Sequence, residues 1–149
     1  MTLDPAQEAS LRRLRDLIQE DVGHRGLRTD PERNLITACA GDFATACRSV
    51  AETPEAAVGV VTGFYIPTAH PPCGETDGPL GAVFLARALT PLGIRAVLLT
   101  DAFCTAALEA GVALAGLRKS VPIVTLPAAD GTADAYWEAV RERTGQLTH

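Results

Sequence analysis

Residues 57–101 read AVGVVTGFYIPTAHPPCGETDGPLGAVFLARALTPLGIRAVLLTD. The run Ala57 to Val61, bounded by Pro54 and by Thr62-Gly63, reads as a short buried strand. A second apolar run, Ile94 to Leu99, ends in Thr100-Asp101. Between them, Leu80 to Leu89 has the length and composition of a helix that is apolar nearly all round. Strand, helix, strand is the βαβ unit, and it predicts parallel pairing of the two runs. The expected fold is therefore α/β, a three-layer Rossmann-like sandwich with a mostly parallel sheet. The long loop Gly63 to Pro79 falls at the carboxyl end of the first strand, the edge where open α/β sheets bind ligands.

The chemistry of the loop fits that position. Gly63, Gly74 and Gly78 permit close backbone approach, and Pro67, Pro71, Pro72 and Pro79 stiffen the chain. Pro79 suits the first helical position, with Gly78 or Asp77 as the cap. The free N–H groups of that helix start favour an anion. Glu75 and Asp77 stand beside them and would repel one. A zwitterion resolves the conflict, its carboxylate on the N–H groups and its ammonium on the side-chain acids. An anion with a metal does so too. The plainer reading also fits: Asp77 as a helix cap and Glu75 as a solvated loop residue.

Thr62-Gly63-Phe64, Pro71-Pro72, the run from Glu75 through Thr76, Asp77, Gly78, Pro79, Leu80 and Gly81 to Ala82, then Leu85-Ala86-Arg87 and Leu98-Leu99-Thr100-Asp101 together resemble the D-glutamate cyclase C-terminal domain family. The resemblance is strongest from Asp42 to Asp101 and looser in the flanks. It implies an α/β fold and conversion of D-glutamate to 5-oxo-D-proline with loss of water. Family members are longer and carry a later glycine-rich motif with Asp, Asn and Glu, which does not occur here. On this resemblance Glu75, Asp77 and Asp101 are the candidate catalytic carboxylates. Thr62, Gly63, Thr76 and Gly78 are candidate donors to the substrate carboxylates. Neighbouring carboxylates tend to separate in pKa, so one can hold a proton while the other stays ionised. No cofactor is expected and no step demands a metal, although the two loop acids next to Asp101 suit a divalent ion. Arg87 lies nearly three helical turns past Asp77 and reads as structural.

The bulk properties narrow the alternatives. A chain of 149 residues suits one domain, with 47% hydrophobic and 21% charged residues. The net charge of −5 argues against a nucleic-acid surface. Six of the thirteen basic residues lie from Arg12 to Arg33, interleaved with acids, and read as a solvated face. No run of 18 apolar residues and no N-terminal apolar h-region occur, so neither a membrane span nor a signal peptide is expected and the chain reads as cytoplasmic. The four cysteines, Cys39, Cys47, Cys73 and Cys104, form no zinc pattern. Three read as small core residues. Cys73, beside Glu75, sits where a helix start would lower a thiol pKa, yet the cyclisation needs no thiol.

In the flanks, Asp4-Pro5 with Gln7 is a capping-box start, and Leu11, Leu14, Ile18 and Val22 form a helical stripe ended by Gly23 and Gly26. A short helical piece is expected from Glu32 to Ala40. Another helix follows Gly41-Asp42, with the stripe Phe43, Ala46, Cys47 and Val50. After Asp101, a helix from Phe103 to Leu114, a strand from Val121 to Leu126, a turn at Asp130-Gly131-Thr132 and a last helix with the stripe Ala133, Tyr136, Trp137 and Val140 are expected.

Two other functions fit parts of the pattern. Asp101 lies 20 residues past Gly81, where a dinucleotide-binding domain places its ribose acid. There is no Gly-x-Gly-x-x-Gly and no Gly-Lys-Ser/Thr, and Lys119 is the sole lysine. The other is a non-catalytic module that binds an acidic amino acid or serves oligomerisation. Asp101 also reads as a plain helix cap, and His70 as an exposed loop residue. Three strands are few for such a sheet: either the sheet has further strands without a clear apolar run, or an exposed edge is covered by another chain, and a homo-oligomer is expected on the second alternative.

Overall fold

The computed structural model describes residues 3–23, 30, 32–34, 38–39, 41–126 and 133–149. The chain divides into two compact units, residues 1–53 and 54–149.

In the first unit, α1 spans Pro5–Ile18 and α2 spans Asp42–Glu52. The capping box forms as the sequence requires. Asp4 Oδ1 accepts from the N–H groups of Ala6 and Gln7 at 2.8 and 2.9 Å, and Gln7 Oε1 accepts from Asp4 N–H at 3.0 Å. The α1 stripe does not become a core: Leu14 is 53% exposed and Ile18 67%. The piece expected from Glu32 to Ala40 lies partly outside the described residues. Within them, Asp30 Oδ1 accepts from the N–H groups of Glu32 and Arg33.

The second unit is the βαβ unit and its continuation. After β1 (Ala57–Val61), two short strands in the loop, β2 (Tyr65–Ile66) and β3 (Cys73–Gly74), pair only with each other. The main sheet has order β1, β4 (Arg95–Thr100), β5 (Ile123–Thr125), all parallel. The register sets Ala57 against Arg95 and Val61 against Leu99. The helix α3 (Asp77–Leu89) connects β1 to β4, and α4 (Thr105–Leu114) connects β4 to β5. Alternate residues of β4 face opposite sides. Ala96 and Leu98 pack on Ala82, Val83 and Ala86 of α3 and on Leu108 and Val112 of α4. Val97 and Leu99 pack with Val124 and with Val140 of α5 (Ala133–Thr144). A strand buried on both faces reads as a continuous apolar run, which is why β4 is visible in the sequence. This is a Rossmann-like α/β sandwich. Of the stripe on α5, Val140 is buried and Trp137 is 52% exposed, while the side chains of Ala133 and Tyr136 lie outside the described residues, as does the turn at 130–132.

Four details differ from the expectation. The helix after the loop starts at Asp77, so Pro79 is its third residue rather than its first. First-turn N–H groups have no intrahelical partner, so a proline is tolerated there. The next helix starts at Thr105 rather than Phe103, because Asp101 Oδ1 takes the N–H groups of Phe103 and Cys104 at 2.8 Å each and holds them in a turn. The last strand is shorter than Val121 to Leu126. Of the cysteines read as core, only Cys104 is buried; Cys39 is exposed and Cys47 intermediate.

The outer edge of β1 is bonded by the chain's own residues. Thr148 N–H donates to Ala57 O at 2.8 Å, Ala57 N–H donates to Thr148 Oγ1 at 2.9 Å, and Gly59 N–H donates to His149 O at 2.9 Å. The last residues of the chain thus cover this part of the β1 edge. Arg95 anchors this segment through its guanidinium, which donates to the carbonyls of Thr144 and Gln146. Hydrogen bonds from a charged donor contribute about 1.5–3 kcal/mol at best, less at a surface. Arg95→Leu is expected to lower unfolding free energy by about 1–2 kcal/mol, read from the urea midpoint at unchanged slope. An unchanged midpoint would show that the segment is held by its strand-edge bonds alone. Among the described residues, no helix is long and apolar enough to cross a membrane.

Candidate functional site

The site is built at the carboxyl ends of β1 and β4. Thr62 N–H continues the ladder past β1, donating to Leu99 O at 2.9 Å. The chain then turns at Gly63, whose φ is +123°. A Cβ at Gly63 would lie 2.6 Å from Asp101 Oδ2 and 2.9 Å from Thr100 Oγ1. Only glycine fits so closely over these oxygens. Across the loop, a Cβ at Gly78 would lie 2.9 Å from Thr62 Oγ1, so the first turn of α3 abuts the end of β1. The fold thus brings Thr62, Gly63, Gly78 and Asp101 together, although Gly78 and Asp101 are far from Thr62 in sequence.

The intervening loop is more ordered than a plain connection. The antiparallel ladder of β2 and β3 sets Tyr65 against Gly74 and Ile66 against Cys73. Glu75 N–H then donates to Phe64 O at 2.7 Å. The hairpin is docked on the turn after β4. The Tyr65 ring stacks on Phe103 with centroids 4.0 Å apart, and a Cβ at Gly74 would meet Cys104 Sγ at 2.4 Å. Cys73 therefore lies in a strand pair rather than at the helix start. His70 is exposed, its Nδ1 3.1 Å from Thr68 O.

The candidate acids differ in setting. Glu75, Thr76 and Asp77 are exposed at the rim. Asp77 Oδ1 accepts from Gly78 N–H at 3.0 Å, while the N-cap residue of α3, Thr76, makes no side-chain capping bond. Asp101 is half-buried; its Oδ1 is fixed by two backbone N–H groups while its Oδ2 faces Gly63. The cap reading of Asp101 thus describes one of its oxygens. Burial pushes the Cys104 thiol above its ordinary pKa. A backbone hydrogen bond at Phe64 works the other way, and the Asp101 and Glu75 carboxylates add to the rise. That thiol is a packed neighbour of the acids, not a nucleophile. No group of three or more His, Cys, Asp or Glu side chains among the described residues is arranged to hold a metal ion.

The sequence reading missed the hydroxyls at this edge. Thr105 Oγ1 donates to Asp101 O and lies 2.8 Å from Thr125 Oγ1. Thr100 is buried beneath Gly63. Threonine at a strand end reads as an ordinary β-former, so Thr100 enters the sequence reading only as part of the Leu98-Leu99-Thr100-Asp101 run, with no role of its own. A cavity of about 640 Å³ opens on the α5 side of the sheet, walled by Val61, Leu99, Val140 and Leu147 with Trp137 and Arg141, and none of the candidate acids lines it.

No curated protein and no solved structure matches the chain. One family does, described as D-glutamate cyclase-like, C-terminal, over residues 14–146. That span includes both strands, the loop with its carboxylates and Asp101, and the chain belongs to this D-glutamate cyclase-like C-terminal domain family.

Proposed function

We propose that this chain is a lyase that converts D-glutamate to 5-oxo-D-proline and water. The observation that carries the reading is Asp101: one oxygen fixed by two N–H groups, the other turned to a glycine corner at the strand ends, beside the start of α3. The family supplies the substrate class. In the reaction the ammonium of D-glutamate gives a proton to a carboxylate base, and the neutral amine attacks the γ-carboxyl carbon. The C–N bond forms, the nitrogen loses a second proton, and one γ-oxygen takes up two protons and leaves as water. Asp101 serves as the base at the amine. The rim acids Glu75 and Asp77 serve proton transfer to the departing oxygen. Thr62, Thr76 and the backbone N–H groups around Gly63 and at the start of α3 donate to the carboxylates and to the charge that develops on the tetrahedral carbon, and the Gly78 N–H joins them when it leaves Asp77 Oδ1.

The test is incubation with D-glutamate, L-glutamate and 5-oxo-D-proline, with and without divalent metal, and chiral separation of products. 5-Oxo-D-proline formed from D-glutamate alone is the expected result; no product under any condition overturns the reading. A thermal-shift titration separates the alternatives. D-Glutamate is expected to raise the melting temperature with dose, as any ligand of the native state does. NAD, FAD and ATP are expected to leave it unchanged. Stabilisation by D-glutamate without product would favour a binding module, and stabilisation by a nucleotide would reverse the ranking.

A further inference from the structure

Thr100 closes β4 and is 1% exposed. Its Oγ1 is buried and has no hydrogen-bond partner among the described residues. Folded chains rarely keep such a group without a reason. The shortage is local: the neighbouring hydroxyls of Thr105 and Thr125 bond each other, and Thr105 also bonds Asp101 O. The Thr100 hydroxyl and Asp101 Oδ2 both lie against Gly63, within 3 Å of the point where a Gly63 Cβ would be, at 2.9 and 2.6 Å. Asp101 Oδ1 is occupied by two N–H groups, which leaves Oδ2 for another donor. The residue covering this corner is an exposed glycine, with no side chain to move before the corner opens.

We propose that Thr100 is a further substrate-contacting residue of this site, and that its hydroxyl completes its hydrogen bonding only when Thr100 Oγ1 and Asp101 Oδ2 together receive the ammonium group of an amino acid. The proposal rests on the amino-acid reading above and assigns which end of the ligand goes where. Two oxygens, one carrying charge, suit a cation with three donors and repel a carboxylate. The carboxylate end is then left to the start of α3, a helix of 13 residues; there Asp77 Oδ1 already holds the Gly78 N–H and Pro79 has none, so the N–H groups of Thr76 and Asp77 are the donors.

The experiment compares Thr100→Val, which keeps the shape and removes the hydroxyl, with Thr100→Ser, which keeps the hydroxyl. Melting temperature is measured without ligand. Affinity is measured by calorimetry for D-glutamate and for glutarate, the same skeleton without the amine. Thr100→Val is expected to melt at or above the wild-type temperature, since the lost hydroxyl had no partner. It is expected to lose affinity for D-glutamate by about tenfold or more, the worth of a hydrogen bond to a charged group, with glutarate affinity unchanged. Thr100→Ser is expected to bind D-glutamate within a few-fold of wild type. A lowered melting temperature with unchanged D-glutamate affinity in Thr100→Val overturns the proposal, as does an equal loss for D-glutamate and glutarate. A panel of glycine, D-alanine and L-glutamate separates this from the substrate reading. If wild type ignores D-glutamate but binds another amino acid that Thr100→Val loses, the ammonium site stands and the substrate reading falls. If no amino acid binds, both fall.

Discussion

Asp101→Asn is expected to leave the melting temperature within a degree or two of wild type and to cut D-glutamate turnover by about 10²–10⁴-fold, the usual contribution of a positioned proton-transfer group. The substitution separates the two jobs of this side chain. Asn keeps an oxygen that accepts the Phe103 and Cys104 N–H groups, and Asn caps about as well as Asp. What it loses is the charge on the oxygen facing Gly63, where an NH₂ group now stands as a donor. A base is lost and an ammonium is repelled, so kcat and kcat/KM both fall. Glu75→Gln and Asp77→Asn are the comparison. Their carboxylates share one proton-transfer role at the exposed rim, so each stands in for the other in part: a loss of about tenfold is expected from either single variant and about 10²-fold or more when both are neutralised. A loss of 10²-fold or more at Glu75 or Asp77 with little loss at Asp101 would move the base to the rim. Full activity in all three variants would place the chemistry outside this loop.

The parts of this site that are legible in the sequence are those with local signatures. Ala96 to Leu99 are apolar because other elements cover both faces of β4, and Val60 of β1 packs on one of the same clusters, so the two runs announce strands. The Glu-Thr-Asp-Gly-Pro stretch announces a turn into a helix, and the carboxyl edge of parallel strands announces where a ligand would sit. The misses have non-local causes. The hairpin of Tyr65–Ile66 with Cys73–Gly74 is two residues deep and carries no alternating pattern; it is pinned by Phe103 and Cys104, residues that follow the next strand. The cover of the β1 edge comes from Thr148 and His149, 91 residues from Ala57 in the case of Thr148, and no periodicity encodes such a contact. The α1 stripe shows the reverse error: apolar spacing at Leu14 and Ile18 predicts a face, not what covers it. Thr100 is the sharpest case. Its role depends on having no partner, and a sequence cannot display an unmade hydrogen bond.

Gly63→Ala is expected to cost on the order of 2–4 kcal/mol of stability and to abolish activity even where the protein remains folded. Two penalties add. A residue with a Cβ at φ +123° is strained by about 1–3 kcal/mol. The Cβ also meets Asp101 Oδ2 at 2.6 Å and Thr100 Oγ1 at 2.9 Å, and overpacking a tight site costs about 1–3 kcal/mol. In a domain of this size that loss corresponds to a fall in melting temperature of about 10 °C or more. The second consequence is chemical. The atoms that must give way are the two oxygens assigned to the ammonium, and shifting Asp101 loosens its hold on the Phe103 and Cys104 N–H groups. Gly81→Ala is the control for glycine removal as such. Gly81 lies within α3, and a Cβ there would meet nothing within 4 Å, so alanine is expected to raise stability by about 0.5–1 kcal/mol through helix propensity. Urea unfolding of both variants, with turnover assayed well below each midpoint, reads the two effects apart. If Gly63→Ala unfolds at the wild-type midpoint and keeps its turnover, the chain does not close over Asp101 and Thr100 at this corner, and the ammonium subsite built from them is wrong.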